Sequence, residues 1–271
     1  MRLLRIALAT LLALTLTTAA ACSTGPEPEP GPPPKLAPPV IGTEGVLRVG
    51  LDLSYPPYGG TDKDREAGID VDVASAIASA LNLDLQLIEV AAEDAPAALK
   101  NGSVDMVMSV PFTEDAVIGA TFAGWYIESG PALFASVDTS VTPADLGKTR
   151  VASQKGSEAY WRLTYTLGEE AVVTTETLRE AFDALQTGDV DVVAGDALVG
   201  AYLSRDFEGI GFASQLGPAT PIGIVVSTEA TELESEIRQT LDSLAAGGVL
   251  DAIRAKWVDD LPALDVSTGE Q

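Results

Sequence analysis

The chain has 271 residues, 46% of them hydrophobic, with 16 Lys plus Arg against 40 Asp plus Glu, one Cys and no His. Without His there is no Ser/His/Asp triad, no His-activated Cys and no His-bearing zinc site, and a formal charge of −24 argues against nucleic-acid binding through basic patches. The length and apolar content suit one large domain or two of about 100 residues.

Arg2 and Arg5 precede an apolar run from Ile6 to Leu16, and Ala19-Ala20-Ala21 leads into the single Cys, Cys22. This pattern reads as an export signal over residues 1–21, too short to span a bilayer. It resembles a bacterial lipobox, with Ala19 where that motif prefers Leu. The resemblance implies that Cys22 carries lipid and that the protein sits on the extracytoplasmic face of the cell membrane. The competing reading, plain cleavage after Ala21, leaves a lone thiol in an exported protein. Loss of Arg2 and Arg5 leaves 14 cations against 40 carboxylates, a net −26. Residues 22–42 read as a linker, with eight Pro between Ser23 and Pro39. Extended at about 3.1 Å per residue, it spans on the order of 50 Å.

The expected elements then run strand (Val46 to Asp52), helix (Ile69 to Leu81, with Val73, Ile77 and Leu81 at helical spacing) and strand (Leu83 to Val90). A short helix from Asp94 to Gly102 follows, then a strand from Val104 to Ser109. Repeated strand-helix-strand units predict an α/β fold with mainly parallel sheets. The pattern A-L-x-x-G-x-V-D-x-V occurs at Ala98 to Val107 and again 86 residues later at Ala184 to Val193. Each copy reads as a helix end, a left-handed Gly cap and a buried strand. The repeat predicts two lobes: 43–134 plus 222–262, and 135–221. Crossings are expected near Ala135 and Pro221, with a tail over 263–271. The returning chain is expected as a strand (Ile222 to Ser227) and helices (Leu233 to Leu244, Val249 to Val258). Ligands of open α/β sheets bind beyond the carboxyl ends of strands, here Ser109-Val110 and Gly195-Asp196.

Several segments together resemble the family 3 extracellular solute-binding proteins, the polar amino-acid receptors of bacterial ABC importers. They are GVLRVGLDLSYPPY (Gly45 to Tyr58), AGIDVDVASAIA (Ala67 to Ala78), ALKNGSVDMV (Ala98 to Val107), YIESG (Tyr126 to Gly130), SQKGS (Ser153 to Ser157), ALQTGDVDVVAGD (Ala184 to Asp196) and GGVLDAIRAKW (Gly247 to Trp257). The resemblance implies a two-lobed periplasmic-binding-protein type II fold, with a hinge and an interlobe ligand cleft. It also departs from the family pattern. The family's carboxylate-clamping Arg falls at Ala116, after Thr113; its stacking aromatic falls near Ala92; its small hydroxyl residue falls near Pro111. Lys155 and Arg65 are the cations nearest the matched cleft segments, and either could replace the clamp.

The resemblance places the ligand against Asp52, Tyr55, Tyr58, Ser109, Val110, Thr113, Lys155, Gly156, Ser157, Glu158 and Asp196. Several of these residues have two readings. Asp196 either binds an ammonium group or caps the helix that follows it. Tyr55 and Tyr58 either face the ligand or shape a turn. Gly156, Ser157 and Glu158 either present backbone amides to the ligand or simply start a helix. Trp125 and Trp161 are expected to pack in the core, and Trp257 matches the family's terminal-helix Trp. The expected function is capture of a small amine-bearing solute, a polar amino acid or a relative lacking an ordinary α-carboxylate, and its delivery to a membrane permease. No cofactor, metal or catalytic residue is assigned, and a monomer is the family expectation. The alternatives are a non-transport sensor or envelope lipoprotein with an altered pocket and, third, a glycan-cleaving enzyme.

Overall fold

The computed structural model describes residues 31–91, 94–113, 119–259 and 261–266. Cys22, Ala92 and Ala116 lie outside these residues, as does the export signal.

The chain enters through β1 (Val46–Leu51), a small hairpin of β2 (Gly60–Asp62) and β3 (Arg65–Ala67), α1 (Ile69–Ala80), β4 (Asp84–Glu89), α2 (Ala95–Lys100), β5 (Met106–Pro111) and β6 (Ala120–Ser129). The second lobe holds β7 (Pro131–Ser136), β8 (Val151–Gln154), α3 (Glu158–Leu167), β9 (Val172–Thr175), α4 (Leu178–Thr187), β10 (Val192–Asp196), α5 (Ala197–Ser204) and β11 (Ile210–Gln215). The chain returns as β12 (Thr220–Ser227), α6 (Thr231–Ala246) and α7 (Val249–Val258).

Helix α1 buries Ile69, Val73, Ala74 and Ile77 on one face, the 3.6-residue stripe read in the sequence. Asp70 and Asp72 in its first turn complement the positive end of its dipole. A capping box between Thr177 and Glu180 starts α4, and Gly188, at φ 79°, ends it in the left-handed conformation expected for that repeat. Gly102, its counterpart in the first copy, has φ 69°.

The strand orders are β4-β1-β5-β12-β6 and β11-β7-β10-β8-β9. Read from opposite ends they match: β1 and β8 lie between two parallel neighbours, while β12 and β7 run antiparallel beside β5 and β10. The expectation of mainly parallel sheets is therefore corrected. Each sheet is mixed, because the strand next to the repeat motif is supplied by chain that has just crossed between lobes.

The crossings also move. Ala135 lies buried inside β7, paired with Gly211, and Pro221 lies inside β12, paired with Glu128. The chain instead passes between sheets at Gly130 and over Leu216 to Ala219. A Cβ on Gly130 would stand 2.8 Å from both the Ala219 Cα and the Pro218 carbonyl, so only glycine permits the two crossings to touch.

Both ends of the folded body extend further than the sequence pattern suggested. Leu36 and Ile41 are buried in the core, and the Lys35 amide donates to the Leu81 carbonyl, so the last third of the expected linker belongs to the first lobe. At the other end Leu261 and Leu264 are buried. Arg254 of α7 donates to the carbonyls of Leu261 and Pro262. Asp265 exchanges backbone hydrogen bonds with the Gln215 side chain, and Val266 bridges to Ala219. Residues 263–266 are thus no tail but a third segment at the crossing. Trp125 and Trp161 are mostly exposed, contrary to the expected packing, whereas Trp257 packs against the core and donates to Asp72 at 2.6 Å.

Candidate functional site

The carboxyl ends of β1 and β5 frame two adjoining cavities. One, of about 270 Å³, is lined by Asp52, Tyr55, Tyr58, Asp70, Ser109, Pro111 and Ile222. The other, of about 360 Å³, shares Asp52, Ser109 and Pro111 with the first and continues past Val110 into apolar walls that include Val90, Leu99 and Val225. A concave, largely apolar space with a few convergent polar groups is the usual form of a small-molecule site.

Tyr55 and Tyr58 stack with ring centroids 5.8 Å apart, and the Tyr58 amide donates to the Tyr55 carbonyl, so the turn and the aromatic wall are the same feature. Tyr58 is buried, whereas Tyr55 is 53% exposed and presents its ring outward. Asp52 uses one oxygen to accept from the Ser54 amide and hydroxyl, at 2.7 and 2.6 Å, a local turn that fixes its carboxylate at the cavity edge.

Asp196 ends β10 and caps α5, accepting from the Val199 amide at 2.9 Å. Its other oxygen accepts from the Ser129 hydroxyl at 2.6 Å, and Ser129 is the last residue of β6 before the crossing. The capping reading of Asp196 therefore holds, and its carboxylate also ties the two lobes at the hinge. Burial raises its pKa against the lowering effect of these donors. Burial first, and then the charge of Asp196, raise the hydroxyls of both Tyr55 and Tyr58.

On the second lobe Ser157 caps α3, accepting from the Tyr160 amide at 3.1 Å, and Gly156 turns the chain at φ 78°. Lys155 is exposed and has no ion-pair partner among the described residues, while Glu158 pairs with Arg162 one turn on. None of Lys155, Gly156, Ser157, Glu158 and Asp196 lines the two cavities, nor does Thr113, which is exposed. Arg65 stands on the exposed β2-β3 hairpin.

Three residues of the site carried no role in the sequence reading: Asp70, Tyr126 and Ser129. Asp70 and Tyr126 are buried and joined at 2.6 Å, and Ser109 donates to Asp70 at 2.6 Å. Burial pushes the Asp70 carboxyl up to about 6. Their signal was present in the segments AGID and YIESG, polar residues set among apolar ones.

Comparison with known proteins gives a family match over residues 47–260, to the model described as bacterial extracellular solute-binding proteins, family 3. Among curated relatives, the ABC transporter glutamine-binding protein of Bacillus subtilis is 27% identical over 72% of this chain and 74% of its own length. The ABC transporter arginine-binding protein 1 of Escherichia coli is 25% identical, over 78% of this chain and 90% of its own. Among solved structures, an ancestral cationic amino acid solute-binding protein superposes with a TM-score of 0.71 at 26% identity, covering 79% of this chain and 96% of that one.

Proposed function

Because the chain belongs to the bacterial extracellular solute-binding proteins, family 3, we propose that it is the substrate-binding lipoprotein of a bacterial ABC importer, taking a polar amino acid or an amine of similar size. The observation that carries this reading is the cavity at the strand ends of the first lobe, lined by Asp52, Tyr55 and Tyr58, with Asp196 of the second lobe tied to the first through Ser129. Two carboxylates and two aromatic faces suit an ammonium group. A solute touching both lobes binds the closed state more tightly than the open one and so shifts the population toward it. The closed form is then what a permease recognises, and no bond in the solute is made or broken. Lys155 and the start of α3 are the second-lobe groups suited to a carboxylate. Cys22 supplies the lipid anchor, and the Pro-rich segment after it holds the body off the membrane.

The relatives named for glutamine and arginine set the test panel: amino acids, their amides, and the corresponding decarboxylated amines, scored by thermal unfolding. A solute at about a hundred times its Kd stabilises by about 2.7 kcal/mol, several degrees for a chain of this size. Stabilisation by at least one member is expected. Stabilisation by amines alone identifies a site without a carboxylate clamp. No stabilisation by any member overturns the receptor reading and favours the sensor or envelope lipoprotein.

A further inference from the structure

Ser109 occupies the corner where both cavities meet, and its φ is +58°. A serine adopts this left-handed conformation only where its surroundings hold it. What holds it is a closed ring of three hydrogen bonds. The Ser109 amide donates to the Tyr126 hydroxyl oxygen at 3.0 Å, the Tyr126 hydroxyl donates to Asp70 Oδ1 at 2.6 Å, and the Ser109 hydroxyl donates to Asp70 Oδ2 at 2.6 Å. Asp70 also reaches the other cavity wall, since its amide donates to the Tyr58 carbonyl at 3.0 Å.

Each oxygen of Asp70 accepts from one hydroxyl, and each hydroxyl has one proton. If Asp70 takes up a proton, one of its oxygens becomes a donor. Whether it points at Ser109 or at Tyr126, the hydroxyl it meets must accept, and that hydroxyl's own proton is left with only the other hydroxyl, 3.4 Å away, as a partner within the ring. One ring bond is reversed either way, and both bonds to Asp70 lose the assistance of its charge, so the ring weakens. The titratable groups facing Asp70 are Tyr126 from β6 and Asp52 from the end of β1; the Asp52 charge, like burial, favours the protonated form.

We propose that Asp70 and Tyr126 are positioning residues that hold Ser109 in its cleft-facing conformation, and that proton uptake by Asp70 releases this corner and weakens solute capture. Only the second half rests on the receptor reading. The midpoint expected from the raised carboxyl lies near 6, inside the range an extracytoplasmic surface meets.

The test follows the Ser109 backbone amide by NMR in the purified protein from about pH 5 to about pH 8, together with Asp70→Asn and Tyr126→Phe. In the wild type the amide shift titrates near pH 6. In Asp70→Asn it is flat, and in Tyr126→Phe amide exchange at Ser109 rises at least about tenfold, because its acceptor is gone. A flat wild-type profile, or the same titration in Asp70→Asn, overturns the proposal. With millimolar L-arginine as probe, binding weakens severalfold between about pH 8 and about pH 5 in the wild type and not in Asp70→Asn. Equal pH dependence in both proteins overturns the functional half. No arginine binding at either pH counts against the receptor reading for that solute, and the amide titration, which needs no solute, still decides whether the ring exists.

Discussion

Arg48 and Arg150 hold Asp105 and Asp191 in the same way. In each, the Arg amide and Nε donate to Oδ2 and Nη2 donates to Oδ1 at 2.6 Å, while Nη1 caps a carbonyl at the preceding helix end. Both aspartates are the Val-Asp of the repeated motif, so the repeat copies a clasp as well as a helix and a strand. The surroundings differ. The Arg48 and Asp105 side chains are 15% and 4% exposed, those of Arg150 and Asp191 57% and 46%. Asp105 also accepts from the Gly42 amide at 2.8 Å and so fastens the entering chain to the first lobe. Identical geometry thus carries different energetic weight: a buried pair cannot lose one partner cheaply, and an exposed one can.

The sharpest way to break the comparison is to truncate both aspartates. Asp105→Ala strands a largely buried guanidinium and two amides, and a loss of about 3 to 5 kcal/mol is expected by urea unfolding. A loss no larger than that of Asp191→Ala would show that burial does not separate the two clasps.

Asp70 gives the first lobe a second buried carboxylate. Its folded pKa of about 6 lies above its unfolded value, so the folded state binds the proton more tightly and stability falls as pH rises from about 4 to about 6, by about 3 kcal/mol. Asp70→Asn flattens this dependence and is expected to melt higher than wild type at neutral pH. A lower melting temperature would mean that the carboxylate's hydrogen bonds outweigh its burial.

Leu264 lies buried where the final segment meets the crossing. Leu264→Ala is expected to cost about 2 kcal/mol, at the low end for a core leucine because the side chain keeps 7% exposure. Thermal unfolding checks it, and an unchanged transition would show that the segment does not depend on its leucine.

The smallest effect is expected from Asp191→Ala, and it should disappear in molar salt, where exposed pairs are screened. Its carboxyl is held down to about 2 by the Arg150 hydrogen bonds. The pair's contribution is therefore present above about pH 4 and fades as pH falls toward 2. A salt-insensitive loss would place this clasp with its buried twin.

What was legible in the sequence is what repeats or alternates. The stripe of Ile69, Val73 and Ile77, the Gly caps at 102 and 188, and the strand end at Asp196 follow from periodicity and turn chemistry, whereas β5 runs past the expected end at Ser109 to Pro111. Gly130 was missed as the crossing although Glu128-Ser129-Gly130-Pro131 breaks the apolar pattern between β6 and β7; its contact with Ala219 marks it. Leu36 and Ile41 were hidden among prolines, where composition says linker and two apolar side chains say otherwise. The ring of Asp70, Ser109 and Tyr126 joins residues 39 and 56 positions apart, a coincidence in space that no local pattern carries.

Strand β12 sits between β5 and β6 in the first sheet, although it is formed by residues 220–227. As the chain emerges N-terminus first, strands β5 and β6 have no neighbour to separate them until the whole second lobe has appeared. The second lobe, continuous from Pro131 to Gln215, can close its sheet at once. Order of synthesis therefore favours completion of the inserted lobe before the lobe that surrounds it in sequence, and Leu264 to Val266, delivered after both, fasten the crossing between them.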